Sequence, residues 1–186
     1  MKIKIMLLQL ILLLIVFAIF YIFVGPALAI IFTIVWIDKS LLPLLKFTGY
    51  IGFELTTIPI ILVGIIYGPV FGFIFAFLIV ALIGGILNLL SWKISSPLAE
   101  ITWPPIIPSP DHFADGVTAV VAALTINSLP FLGTILLCSI VKNFYVAIKD
   151  KFTLGFINHF PRILSVIINF AIAFHFREHF LAMISL

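Results

Sequence analysis

Residues 51–90 read IGFELTTIPIILVGIIYGPVFGFIFAFLIVALIGGILNLL, with Glu54 as the one charged side chain in the whole stretch. As a single helix it would reach about 60 Å at 1.5 Å per residue, twice the hydrocarbon thickness of a bilayer. Gly68-Pro69 divides it, because proline lacks an amide donor and disfavours helical geometry in the residue before it. The pattern predicts two membrane-crossing helices, Ile51–Tyr67 and Val70–Leu90, joined by a turn.

The rest of the chain has the same character. Of 186 residues, 64% are hydrophobic and 9% charged, with a mean hydropathy of +1.38; a soluble domain carries roughly 25% charge. That much apolar surface cannot be hidden in one water-soluble core of this size, whereas a bilayer is itself an apolar solvent. The length allows one transmembrane domain over 1–186 and no separate soluble domain. The fold expected is an all-α, polytopic transmembrane helix bundle in the cell membrane.

The apolar run Ile5–Val24 follows Lys2 and Lys4 in the manner of a signal peptide. The uncharged stretch continues to Ile37, beyond the ~7–15 residues of a signal core, so a retained helix is expected. Gly25-Pro26 interrupts the run, and a turn before a second piece, Ala27–Ile37, is favoured over one long kinked helix. Ser91–Phe113 carries Pro97, Pro104, Pro105, Pro108 and Pro110 and reads as an interfacial loop, with Trp92 and Trp103 as headgroup-level anchors. A fifth span covers Ala114–Ile140 with a kink at Pro130. Lys142, Lys149, Asp150 and Lys151 mark a connection, and a last helix runs from Phe160-Pro161 to about Phe176. Six spans result, with five as the alternative. Six spans with the N-terminus inside put Lys142, Lys149, Lys151 and Arg162 outside, against the positive-inside rule.

The net charge of +3 comes from 10 basic and 7 acidic residues, too few and too scattered for a nucleic-acid surface. Contact with anionic lipid accounts for such an excess. Cys138, the single cysteine, lies in an apolar run and reads as an inert thiol. There is no nucleophile elbow, zincin motif, P-loop or cysteine pair, so neither an enzyme nor a cofactor is expected. His175 and His179 are four apart, as metal ligands on a helix can be, but two ligands fall short of a site. They fit a helix-end cluster with Arg177 and Glu178 equally well.

Gly64, Gly68, Gly72 and Ala76, and then Ala81 and Gly85, recur at intervals of four and predict close helix contacts. Polar residues in apolar helices need partners or a wet cavity. Asn158, Arg162, Ser165 and Asn169 fall on one face of the last helix, and Asp115, Thr118, Ala122 and Thr125 on one face of the fifth. Two adjacent helices with such stripes would wall a polar pocket for a small metabolite. Arg162 or Asp115 would meet the ligand's charge, and Trp103 could stack on it. The plainer account is that Asn158 caps its helix, Arg162 snorkels to the headgroups and the others bond across helices. Glu54 suits a helix dipole as a first-turn acid, and Asp111 or Asp115 could cap the fifth helix.

The stretch from Gly52 to Ala76, with its apolar helix, Tyr67-Gly68-Pro69 turn and Gly72, resembles the middle of the substrate-binding S components of energy-coupling factor transporters. The resemblance implies a six-helix vitamin- or metabolite-binding subunit that takes up its substrate at the outer face. Its partners would be a transmembrane coupling subunit and paired ATPases. The family's Ala-x-x-x-Ala contact in the first helix is absent here: Ala18 is followed by Ile22, and Gly25 with Ala29 lies beyond the break. A membrane scaffold without substrate, similar to rod-shape membrane subunits, is the alternative.

Overall fold

The computed structural model describes residues 2–42, 54–91 and 108–185, and among these every regular element is helical. Helix α1 spans Lys2–Phe23 and α2 Pro26–Trp36, the latter continued by a π-helical turn, Ile37–Leu41. Helices α3, Thr57–Tyr67, and α4, Pro69–Ile74, flank Gly68; a second π-helical turn, Phe75–Ile79, joins α4 to α5, Val80–Ser91. Then come α6, Pro110–Thr125; α7, Phe131–Leu154; α8, His159–His175; and α9, Arg177–Ile184.

Both Gly-Pro dipeptides are turns. Gly25 has φ 122° and Gly68 φ 86°, backbone that glycine adopts without a Cβ clash, and each proline opens the next helix where its missing donor costs nothing. Phe20 stacks on Phe32 at 4.6 Å across the first turn. Across the second, a Cβ on Gly72 would lie 2.8 Å from the Gly64 Cα. The small-residue row therefore works across a hairpin and against α6. A Cβ on Gly64 would come 2.1 Å from the Ala119 carbonyl oxygen, and one on Gly116 2.7 Å from the Phe73 ring.

Three expectations are corrected. Pro130 does not kink a fifth span over Ala114–Ile140: α6 ends at Thr125 and a separate α7 begins just after Pro130. The residues Lys142, Lys149, Asp150 and Lys151 form no connection but lie within α7, which ends where Gly155 turns left-handed at φ 78°. The Ser91–Phe113 loop is also shorter than expected at its end, since α6 starts at Pro110; residues 92–107, with Trp92 and Trp103, lie outside the described residues.

Helices α6 and α7 run antiparallel, while α3 runs parallel to α6, with Gly64 against Ala119 and Thr57 beside Asp115 on Lys142. Cys138 faces Thr118, Lys142 faces Asp115 and Lys149 faces Asp111, so α7 ascends as α6 descends. This arrangement collects the turns at Gly25, Gly68 and 126–130 at one end. The ion pairs of Lys39, Glu54, Asp111, Asp150 and Arg162 gather at the other.

Among the described residues two helices are long and apolar enough to cross a membrane, Pro69–Ile86 and Phe131–Leu154. The pair α8 and α9, bent by 75°, makes a third if it counts as one span; Leu7–Phe23 and Thr57–Tyr67 are apolar but shorter. Length and composition thus support two or three crossings and do not reproduce the count of six, or of five. Large apolar side chains such as Leu14, Ile22, Phe23, Val70, Phe144 and Phe152 are exposed, as lipid contact would require and water would penalise. Inside, Ile31, Val35, Ile60, Ile61, Leu62, Phe75 and Ile135 form the core.

Candidate functional site

Helix α7 turns one stripe inward: Phe131, Thr134, Ile135, Cys138, Ser139, Lys142, Asn143, Val146 and Asp150 are all buried. The spacing of three and four is helical, but its composition changes from apolar to charged on the way to the C-terminal end. Lys142 sits near the middle of the helix, about 17 Å from either end, and is only 5% exposed. Its ammonium reaches Asp115 at 2.7 Å, Glu54 at 2.9 Å and the Thr57 hydroxyl at 3.0 Å. The contacts with Glu54 and Thr57 are hydrogen bonds, and that with Asp115 is an ion pair. The partners offset the cost of taking the charge out of water, which is why the chain need not break here.

Glu54 bridges this lysine to Lys39, at 3.5 Å, and Lys39 in turn lies 3.2 Å from Asp38. Asp38 accepts hydrogen bonds from the Leu55 amide, at 2.6 Å, and from the Thr56 hydroxyl. It so ties the two residues that precede α3 to the turn that continues α2. Burial alone would raise the Glu54 carboxyl, but the Lys142 and Lys39 ammoniums outweigh it and hold the group at about 2. Glu54 precedes α3 and is therefore no first-turn acid; its charge serves the two lysines.

A second group of charges lies nearer the helix ends. Lys149 pairs with Asp111 at 2.7 Å and approaches Asp150 at 3.4 Å, while Arg162 Nη2 donates to Asp150 at 2.6 Å. Neither Asp111 nor Asp115 caps α6. The cap is Ser109, which forms a reciprocal capping box with His112.

Between the two groups is a cavity of about 360 Å³. Glu54, Asp111, Asp115, Lys39, Lys142, Lys149 and Arg162 supply its charges, with Asn143, His112 and Ser165 beside them. Its size lies in the range of small-molecule sites, in which a few convergent polar groups fix orientation.

The residues singled out from the sequence divide in two. Asp115, Arg162 and Ser165 line the cavity together. Asp115 and Arg162 are not each other's partners, however: α7 packs against both α6 and α8 and supplies Lys142 to one and Asp150 to the other. Thr118 and Thr125 turn their hydroxyls to the carbonyls of Ala114 and Val121 in their own helix. Asn169 is buried and donates to the Ser165 carbonyl at 2.8 Å. Asn158 is exposed at the start of α8 and makes no side-chain cap bond. Trp103 lies outside the described residues. His175 and His179 are parted by the bend at Phe176, whose ring touches both, and no group that could hold a metal occurs among the described residues.

Sequence reasoning missed Lys142, Asn143, Lys149 and Lys39 as cavity residues. A signal was present, since Thr134, Cys138, Ser139, Lys142, Asn143 and Asp150 keep one helical face. No protein-family model, curated protein or solved structure matches this chain.

Proposed function

We propose that the chain is a multi-pass membrane protein that binds a small polar molecule in the charged cavity, as a substrate-binding subunit for uptake. The observation that carries this reading is Lys142, an ionised group at the middle of a helix long enough to cross the bilayer, set against a cavity. Charges at such depth are costly and mark ligand or ion sites more often than structure. The resemblance of residues 52–76 to S components supports uptake, with a coupling subunit and ATPases as partners. Orientation bears on the mode of action. Among the described residues Lys39, Lys149, Lys151 and Arg162 share the cavity end, with Arg177 near the other. The positive-inside rule favours a cytoplasmic cavity mouth, opposite to the outer-face capture that the resemblance implies.

The scaffold reading draws on one fact: each cation of the cavity already has a carboxylate partner. Native mass spectrometry of protein extracted gently from its own membrane separates the two. A bound small molecule, lost on substitution of Asp115 or Arg162, supports the binding subunit. An empty protein that retains only a protein partner counts for the scaffold.

A further inference from the structure

Two cations stand side by side at the outer end of the cavity. Asp150 holds both, with Lys149 at 3.4 Å from one carboxylate oxygen and Arg162 at 2.6 Å from the other. Asp150 is itself buried and does not line the cavity. Two positive charges against this one buried negative leave one charge to be met from the cavity side. Asp111 meets it, 2.7 Å from Lys149, but that side chain is 50% exposed, against 32% for Glu54 and 5% for Asp115. An ion pair so well hydrated is worth little, and Asp111 keeps a favourable place in the first turn of α6 without it. Arg162 bonds Asp150 through Nη2, while its Nε is buried without a partner among the described residues, and an unmet donor is costly. The inner end of the cavity is filled: Lys142 lies between Asp115 and Glu54, and Lys39 between Glu54 and Asp38.

We infer that the cavity takes a small monocarboxylate, its anionic end on Lys149 and Arg162 in place of Asp111, which swings into water as the ligand enters. This deepens the reading of the cavity as a binding site and rests on it. The lining agrees in charge: four cations, Lys39, Lys142, Lys149 and Arg162, face three carboxylates, Glu54, Asp111 and Asp115. Release of Asp111 vacates the place of one negative charge, so a second charge on the ligand would go unmet, and a monoanion fits better than a dianion. The planar fork of an arginine beside a lysine suits a carboxylate. Asn143 and Ser165 also line the cavity and offer hydrogen bonds to the body of the ligand. An organic cation has no such place, because the carboxylates deeper in the cavity already lie against ammoniums.

The test uses the full chain in phosphatidylcholine nanodiscs and three probes of one shape and different charge, butyrate, butyramide and n-butylamine. A ligand that binds the folded state raises the unfolding temperature with its concentration. Butyrate should do so, and the amide and the amine should not. Asp111→Asn should tighten butyrate about two- to fivefold, the worth of the exposed pair it removes. Arg162→Lys should weaken butyrate about tenfold through loss of the fork, and Lys149→Gln reads the same loss should Arg162→Lys fail to fold. Equal or greater stabilisation by the amide or the amine would overturn the anion. Unchanged or weaker butyrate binding in Asp111→Asn would overturn the exchange. Phosphatidylglycerol added to the nanodiscs brings in the rival anion, a lipid headgroup, and loss of the butyrate shift there would overturn a soluble carboxylate. No shift with any probe would overturn the monocarboxylate. The binding reading survives that result if native mass spectrometry finds a small molecule, and falls with it if the protein is empty.

Discussion

Replacing Lys142 by Met keeps the side chain's length and apolar stem and removes its charge. Three interactions go with it. Asp115, 3% exposed, loses its 2.7 Å partner, and breaking a buried ion pair from one side costs about 3–5 kcal/mol. Glu54 is about one-third exposed and keeps Lys39 at 3.5 Å, so its share is discounted to about 0–1 kcal/mol. The bond to Thr57 adds about 1 kcal/mol. Against this, the methionine returns about 1 kcal/mol by burying more apolar surface. The net loss is about 3–6 kcal/mol, or roughly 6–24 °C in unfolding temperature at 2–4 °C per kcal/mol for a chain of this size. Thermal unfolding in a mild detergent, followed by circular dichroism, measures it. Lys149→Met is the control, because its partner Asp111 is 50% exposed and such a pair is worth less than about 1 kcal/mol. Adding Asp115→Asn to Lys142→Met should restore most of the loss, since the orphaned charge is gone. If Lys142→Met costs no more than Lys149→Met, or if the double variant is no better than the single, Lys142 is not held as described.

Gly64→Ala should destabilise by about 1–3 kcal/mol through overpacking, since its new Cβ meets the Ala119 carbonyl at 2.1 Å; an unchanged melting curve would show that α3 and α6 are not in contact there. Cysteines placed at Ser128 and Gly155 in a Cys138→Ser background should react with impermeant maleimide from opposite sides of sealed vesicles, because α7 separates them. Labelling from one side would mean that α7 does not cross. The Glu54 carboxyl, held at about 2 against an ordinary 4.5, contributes stability that is present above pH 4.5 and is lost as pH falls toward 2. Glu54→Gln should flatten the decline of unfolding temperature across that window, and a slope identical to that of the unaltered chain would refute the pairing.

The apolar character of the chain, its helical class and its two Gly-Pro turns follow from the sequence alone, because each rests on local physics. Gly68 with Pro69 stops a helix whatever surrounds it, and Gly64 with Gly72 announces a close approach before the partner is known. Asp115 and Arg162 are likewise legible as cavity residues, since an ionisable group in an apolar helix must find a partner or water. What the sequence does not contain is the partner. Lys142, Lys149 and Asp150 read as a connection because isolated charges end an apolar helix. They remain inside α7 because Glu54, 88 residues away, and Asp115, Asp111 and Arg162 neutralise them. For the same reason Pro130 reads as a kink in one span and proves to be the start of another: both are compatible with its ring, and packing of α7 against α6 and α8 selects the second. Whether a buried charge breaks a helix or anchors a site depends on where its counter-charge stands, and only the tertiary structure brings the two together.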